Sequence, residues 1–177
     1  HLADQPPTVN AFDHVLVKVT HQDETFWLDP TRRYQNSTLD DIYQPDYRYA
    51  LVIDNTNKEL EKMATNLTDV LTIKEHFDLS KGSNNDVVLD VNSQYFGYEA
   101  ENLRYDLANN GLNKLQENYL EFYRGYYSDV EPLEKPKVRE TNRKGIIHLK
   151  EKYLLKNYYY LLYIYDNLFH HLNLEFA

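Results

Sequence analysis

Residues 12–29 constrain this chain more than any other stretch. Between 12 and 20 the side chains alternate: Val15, Val17 and Val19 face one way, and His14, Leu16 and Lys18 the other. His21-Gln22-Asp23-Glu24 is a polar turn, and residues 25–29 alternate again, with Phe26 and Leu28 opposed to Trp27 and Asp29. Pro30 cannot donate to a ladder and ends the second run. Two such runs with a short turn between them predict a β-hairpin. A turn centred between His21 and Gln22 sets His14 directly opposite Asp29. One centred between Gln22 and Asp23 sets them diagonally, one pair apart. Both registers put the two side chains on one face, about 5–8 Å apart at Cβ. A three-residue loop moves one of them to the other face.

The rest of the chain predicts an α+β protein dominated by antiparallel sheet. Residues 1–11 are polar and proline-containing, so they form a loop. Residues 32–46 are turn-rich, 49–53 form a short apolar strand, and 58–63 are short and charged. Residues 67–79 and 86–96 alternate on either side of a Ser-Lys-Gly-Ser-Asn-Asn turn and pair as a second hairpin. At Gly97 the period changes. Leu103, Leu107, Leu112, Leu115, Tyr119, Phe122 and Tyr126 follow helical spacing over residues 99–127. Asn109-Asn110-Gly111 either kinks one helix or separates two, with Gly111 just past the end of the first. Residues 128–136 read as a loop and the basic run 135–144 as a solvated linker. Residues 146–153 and 157–165 read as strands, and 168–176 as a terminal helical turn at most. The compositional break at 55–57 divides the chain into residues 1–55 and 58–177.

Composition narrows the function. The net charge of -9 argues against nucleic acid and an anionic membrane surface. No apolar run is long enough for a spanning helix. With no cysteine, the chain has no disulfide, thiolate metal site or cysteine nucleophile. No cofactor is implied. Adjacent His170 and His171 would point about 100° apart on a helix, and no carboxylate spacing makes a metal site of His21, His76 or His148. The tyrosines of residues 158–165 suit a half-wet sheet face or a stacking surface for a partner. The opening His1-Leu2-Ala3-Asp4-Gln5-Pro6-Pro7 reads as neither a signal peptide nor a natural start, so a longer protein is expected.

A histidine held by a carboxylate is the base-and-orienter arrangement that activates a thiol or hydroxyl nucleophile. The ordinary alternative is a solvated strand histidine beside an unrelated turn aspartate. The residues themselves add to the spacing. Phe12-Asp13-His14-Val15-Leu16-Val17, then Trp27-Leu28-Asp29-Pro30-Thr31-Arg32, resembles the histidine and aspartate motifs of the transglutaminase-like superfamily, in its large bacterial branch. Gln35, Tyr47 with Ala50-Leu51-Val52, Gly97, Ala100, Arg104, Glu151 and Tyr153 extend the resemblance diffusely. It implies that His14 is a catalytic base, that Asp29 orients it, and that residues 1–55 are the sheet portion of a papain-like core. It also implies a protein or peptide substrate and a cell-envelope or secreted location in a bacterium. Trp27 would wall the site, unless it is simply a core aromatic. Two departures stand out: the cysteine segment is missing, and residues 139–142 are basic where the family tends to be acidic. Serine could replace the thiol chemically, but only Ser37 is near and nothing singles it out. The chain is thus expected to be the C-terminal part of a cysteine hydrolase or acyltransferase, inactive by itself. The alternative is a non-catalytic binding or scaffolding module that retains the hairpin.

Overall fold

The computed structural model describes residues 8, 11–63, 71–80, 86–141 and 144–158. Strands 157–165, the helical turn at 168–176, the tyrosines beyond Tyr158, and His170 and His171 fall largely or wholly outside them. The described chain is a β-rich α+β fold with two α-helices and nine strands, all paired antiparallel.

The central element is β9 (Ile146–Leu155), which pairs along its length with β6 (Val87–Tyr95). β5 (Leu71–Asp78) extends the sheet beyond β6, as the second predicted hairpin requires. The other edge of β9 takes two short strands, β7 (Val130–Pro132) and β8 (Lys137–Thr141). Their sequences read as a loop and a solvated linker because no apolar alternation marks them. Backbone pairing to β9 made them strands instead; β7 also buries Val130, while the charged, exposed side chains of β8 suit a protected sheet edge.

Both middle strands turn one parity inward: Val87, Leu89, Val91, Ser93 and Tyr95 on β6, and Ile147, Leu149, Glu151, Tyr153 and Leu155 on β9. Helices α1 (Gly97–Asn109) and α2 (Gly111–Arg124) cover this face. Ala100, Leu103 and Leu115 pack with Tyr95, Ile147 and Leu149. Tyr123 packs with Val87, Leu89, Val91, Tyr153 and Leu155. Each such aliphatic or aromatic side chain contributes about 1.5–3 kcal/mol of burial. Asn109-Asn110-Gly111 separates two helices, and Gly111 has φ +75°, the left-handed conformation that ends α1.

The N-terminal hairpin is shorter than its alternation. β1 (Val17–His21) pairs with β2 (Glu24–Leu28), while residues 12–16 join no ladder among the described residues. Val17 pairs with Leu28, so the turn centres between Gln22 and Asp23, the second of the two registers. Both turn residues have positive φ, 49° and 64°, giving the type I′ geometry that matches strand twist. The charged stretch 58–63 contains β4 (Leu60–Lys62), paired with β3 (Tyr49–Leu51). The compositional break at 55–57 is therefore the loop of a hairpin. Its turn is held by Asp54 Oδ1, which accepts from the N–H groups of Thr56 and Asn57 and from the Thr56 hydroxyl.

Charged side chains tie the loop after β2 to α1. Arg32 binds Glu101 Oε2 through Nε (3.0 Å) and Nη2 (2.5 Å). Its guanidinium also lies over the rings of Tyr43 and Tyr98, at 5.2 and 5.7 Å. Gln35 Nε2 donates to the other Glu101 oxygen and to the Tyr43 carbonyl. Arg104 donates to the carbonyls of Tyr34 and Gly145 and to Glu140. This cluster anchors residues 29–35, and with them the hairpin exit.

Candidate functional site

Asp29 sits one residue past β2 and is buried. Pro30 pre-sets the next φ, and the Asp29 carbonyl accepts from the Arg32 N–H at 3.2 Å, closing a turn. The turn folds Thr31 back onto the carboxylate. Oδ1 accepts from the Thr31 N–H at 2.9 Å and the Thr31 hydroxyl at 2.6 Å. Oδ2 is left for His14 Nε2, 2.8 Å away.

Burial alone pushes the Asp29 carboxyl up. The Thr31 hydroxyl and N–H, then the His14 ring, outweigh it and hold the group below its ordinary value. Asp29 is therefore a carboxylate near neutrality and accepts, so Nε2 carries the hydrogen. Neutral His14 then has its lone pair on Nδ1, the nitrogen available as a base.

Tyr47 stacks on the imidazole, with centroids 5.4 Å apart and planes 23° apart. Desolvation first, and then the Asp29 charge, push its hydroxyl up, so Tyr47 is neutral. His14 is thus gripped by a carboxylate at its edge and an aromatic ring on its face. His14 opens on a cavity of about 560 Å³ walled by Phe12, Val15, Val17, Tyr49, Leu51 and Ile53. Trp27 is buried and lines this cavity and a second one across the hairpin. Lys18 reaches over Trp27 to Glu61, at 2.6 Å.

The structure thus brings His14 and Asp29 together, and Trp27 lines the same cavity as His14. Sequence reasoning missed Thr31 and Tyr47 as members of the group. Asp-Pro-Thr carried a signal for Thr31, because a short Asx-type turn directs the residue two on toward the aspartate. Tyr47 carried none, since its contact depends on how residues 32–46 return. Ser37 bridges to Lys144 and packs on Gly145 rather than on the pair. His21 is exposed, His76 lies on β5, and His148 bonds Thr141 Oγ1. Among the described residues no three His, Asp or Glu side chains gather as a metal-binding group. Nor is any described helix long and apolar enough to cross a membrane. The chain matches no protein-family model, no curated protein and no solved structure.

Proposed function

We propose that His14 and Asp29 are the base and orienting carboxylate of a transglutaminase-like cysteine hydrolase or acyltransferase. On this reading residues 1–177 form the part of that enzyme that follows its cysteine segment. The first part of the chain, through the β3–β4 hairpin, completes a papain-like core, and the sheet and helices that follow add an α+β domain. The observation that carries it is the 2.8 Å contact from His14 Nε2 to a buried, doubly anchored carboxylate. Two bonds from Thr31 orient Asp29 independently of His14, and a solvated strand histidine needs no such support. With no cysteine in the chain, the thiol comes from outside these residues.

The chemistry assigned to the pair is acyl transfer. Nδ1 takes the thiol proton, and the thiolate attacks an amide or ester carbonyl, forming a carbon–sulfur bond. The imidazolium returns its proton to the leaving amine or alcohol as the carbon–nitrogen or carbon–oxygen bond to it breaks. Asp29 stabilises the imidazolium throughout. Water or an amine, deprotonated at Nδ1, then displaces the thiolate from the acyl-enzyme.

The test uses the full-length protein. Iodoacetamide alkylation of its cysteine is followed against pH for the native protein and for His14→Ala. Loss of the fast phase near neutral pH in the variant is expected. An unchanged profile, or no cysteine anywhere in the full sequence, overturns the catalytic assignment. The apolar cavity beside His14 would then favour a non-catalytic binding module.

A further inference from the structure

The second cavity, about 340 Å³, lies along the opposite edge of the hairpin from the histidine. Its lining is informative. Four consecutive residues from Glu24 to Trp27 form one wall. A strand shows alternate residues to each face, so an unbroken run marks a cavity lying along the backbone edge.

The register says which backbone groups meet it. In a two-residue turn the flanking pair, His21 and Glu24, exchanges both hydrogen bonds, as do Val19 with Phe26 and Val17 with Leu28. Thr25 and Trp27 lie between those pairs and turn their N–H and C=O groups outward. β2 has no other strand partner among the described residues. The opposite wall includes Asp40, Ile42 and Gln44.

Gln44 supplies a second, separate observation. It is 7 % exposed, and both polar atoms of its carboxamide are shut off from solvent with no hydrogen-bond partner among the described residues. A buried amide left unmatched at both ends costs free energy in the unliganded protein. Gln44 lines the cavity, and its last torsion is broad for a glutamine, so the amide can rotate there. Carboxamide and strand edge then present the same complement, alternating donors and acceptors that fit a main chain. The charged residues lining the cavity are both acidic, Glu24 and Asp40.

We propose that this slot binds an extended, lysine- or arginine-bearing peptide segment by strand addition to β2. The peptide main chain pairs with Thr25 and Trp27 and with the Gln44 carboxamide, and its cationic side chain lies between Glu24 and Asp40. The site shares Trp27 with the histidine side but does not depend on the catalytic reading.

Titration of the 177-residue chain with an end-blocked hexapeptide of alternating valine and lysine tests this, followed by amide shifts and the dissociation constant. Shifts at the Thr25 and Trp27 amides and the Gln44 side-chain amide are expected. Gln44→Leu should weaken binding by roughly tenfold or more. Methylating alternate peptide nitrogens, or replacing lysine by glutamate, should do the same. Asp40→Lys, on an exposed turn where folding is not at stake, should weaken binding at low salt. His14→Ala should leave it unchanged, separating this site from the catalytic pair. No binding overturns the proposal, as does equal affinity for the methylated or glutamate peptide, or Gln44→Leu and Asp40→Lys variants that bind like the native chain.

Discussion

Replacing Thr31 with valine tests the physics of the His14–Asp29 pair without touching either residue. Valine has nearly the shape of threonine, so no cavity forms, and the N–H bond to Asp29 survives. What disappears is the 2.6 Å hydroxyl bond to Oδ1. A hydrogen bond to an ionised acceptor is worth about 1.5–3 kcal/mol. Thr31 itself is exposed, which favours the lower end, about 1.5 kcal/mol at pH 7. The pH dependence sharpens the test. Asp29 is held below its ordinary carboxyl range, so its ionised form stabilises the fold. That contribution is present above the unfolded value, about 3.9, and is lost as pH falls through the lower folded value. The difference between native and Thr31→Val stability should therefore be full at pH 7 and shrink below about pH 4. Urea denaturation at several pH values measures it, and the Asp29 carboxyl carbon shift should report a higher titration midpoint in the variant. A deficit that stays constant down to pH 2, or an unmoved midpoint, refutes the claim that Thr31 acts through the carboxylate.

Glu151 should show the opposite sign. Burial between sheet and α2 pushes its carboxyl up, against a smaller opposing effect from the Tyr153 hydroxyl, which donates to Oε1. Its protonated form is favoured on folding, so that stability is present below the unfolded value, about 4.3, and lost as pH rises through the folded one. Glu151→Gln, which keeps the acceptor, should stabilise the protein at pH 7 and lose the advantage below about pH 4, as read by denaturant midpoints. Glu101→Ala strands Arg32 between Tyr43 and Tyr98 and removes one of the two acceptors of Gln35 Nε2. A loss of about 3–5 kcal/mol is expected from calorimetry or urea unfolding. Gly97→Ala places a Cβ 2.8 Å from Tyr43 Cδ2 at φ +45°, so it should cost about 1–3 kcal/mol by the same measurement.

Much of the hairpin was legible because period-2 alternation, a polar turn and a terminating proline are all local. They put His14 and Asp29 on one face in either register. The choice of register was not legible, because Gln22 and Asp23 are not the usual residues for a turn with two positive φ angles. Nor was the buried face. The valine parity looked the more apolar, yet Val15 and Val17 are exposed while Trp27 and Asp29 are buried. The strands β4, β7 and β8 were invisible for a related reason. Each is short and charged, and takes its conformation from a partner's unpaired edge.

The sequence by itself determined the β-rich α+β class, the switch from strand to helix at Gly97, and a histidine and an aspartate able to meet. Those depend on side-chain period and on Gly and Pro geometry, which act over a few residues. Tertiary structure decided the rest. It joined Arg32 to Glu101, stacked Tyr47 on His14, buried Gln44 with no partner among the described residues beside the edge of β2, and turned a basic run into a sheet edge. Those contacts unite residues far apart in the chain, and their energy exists only once packing has excluded water and brought the partners within reach.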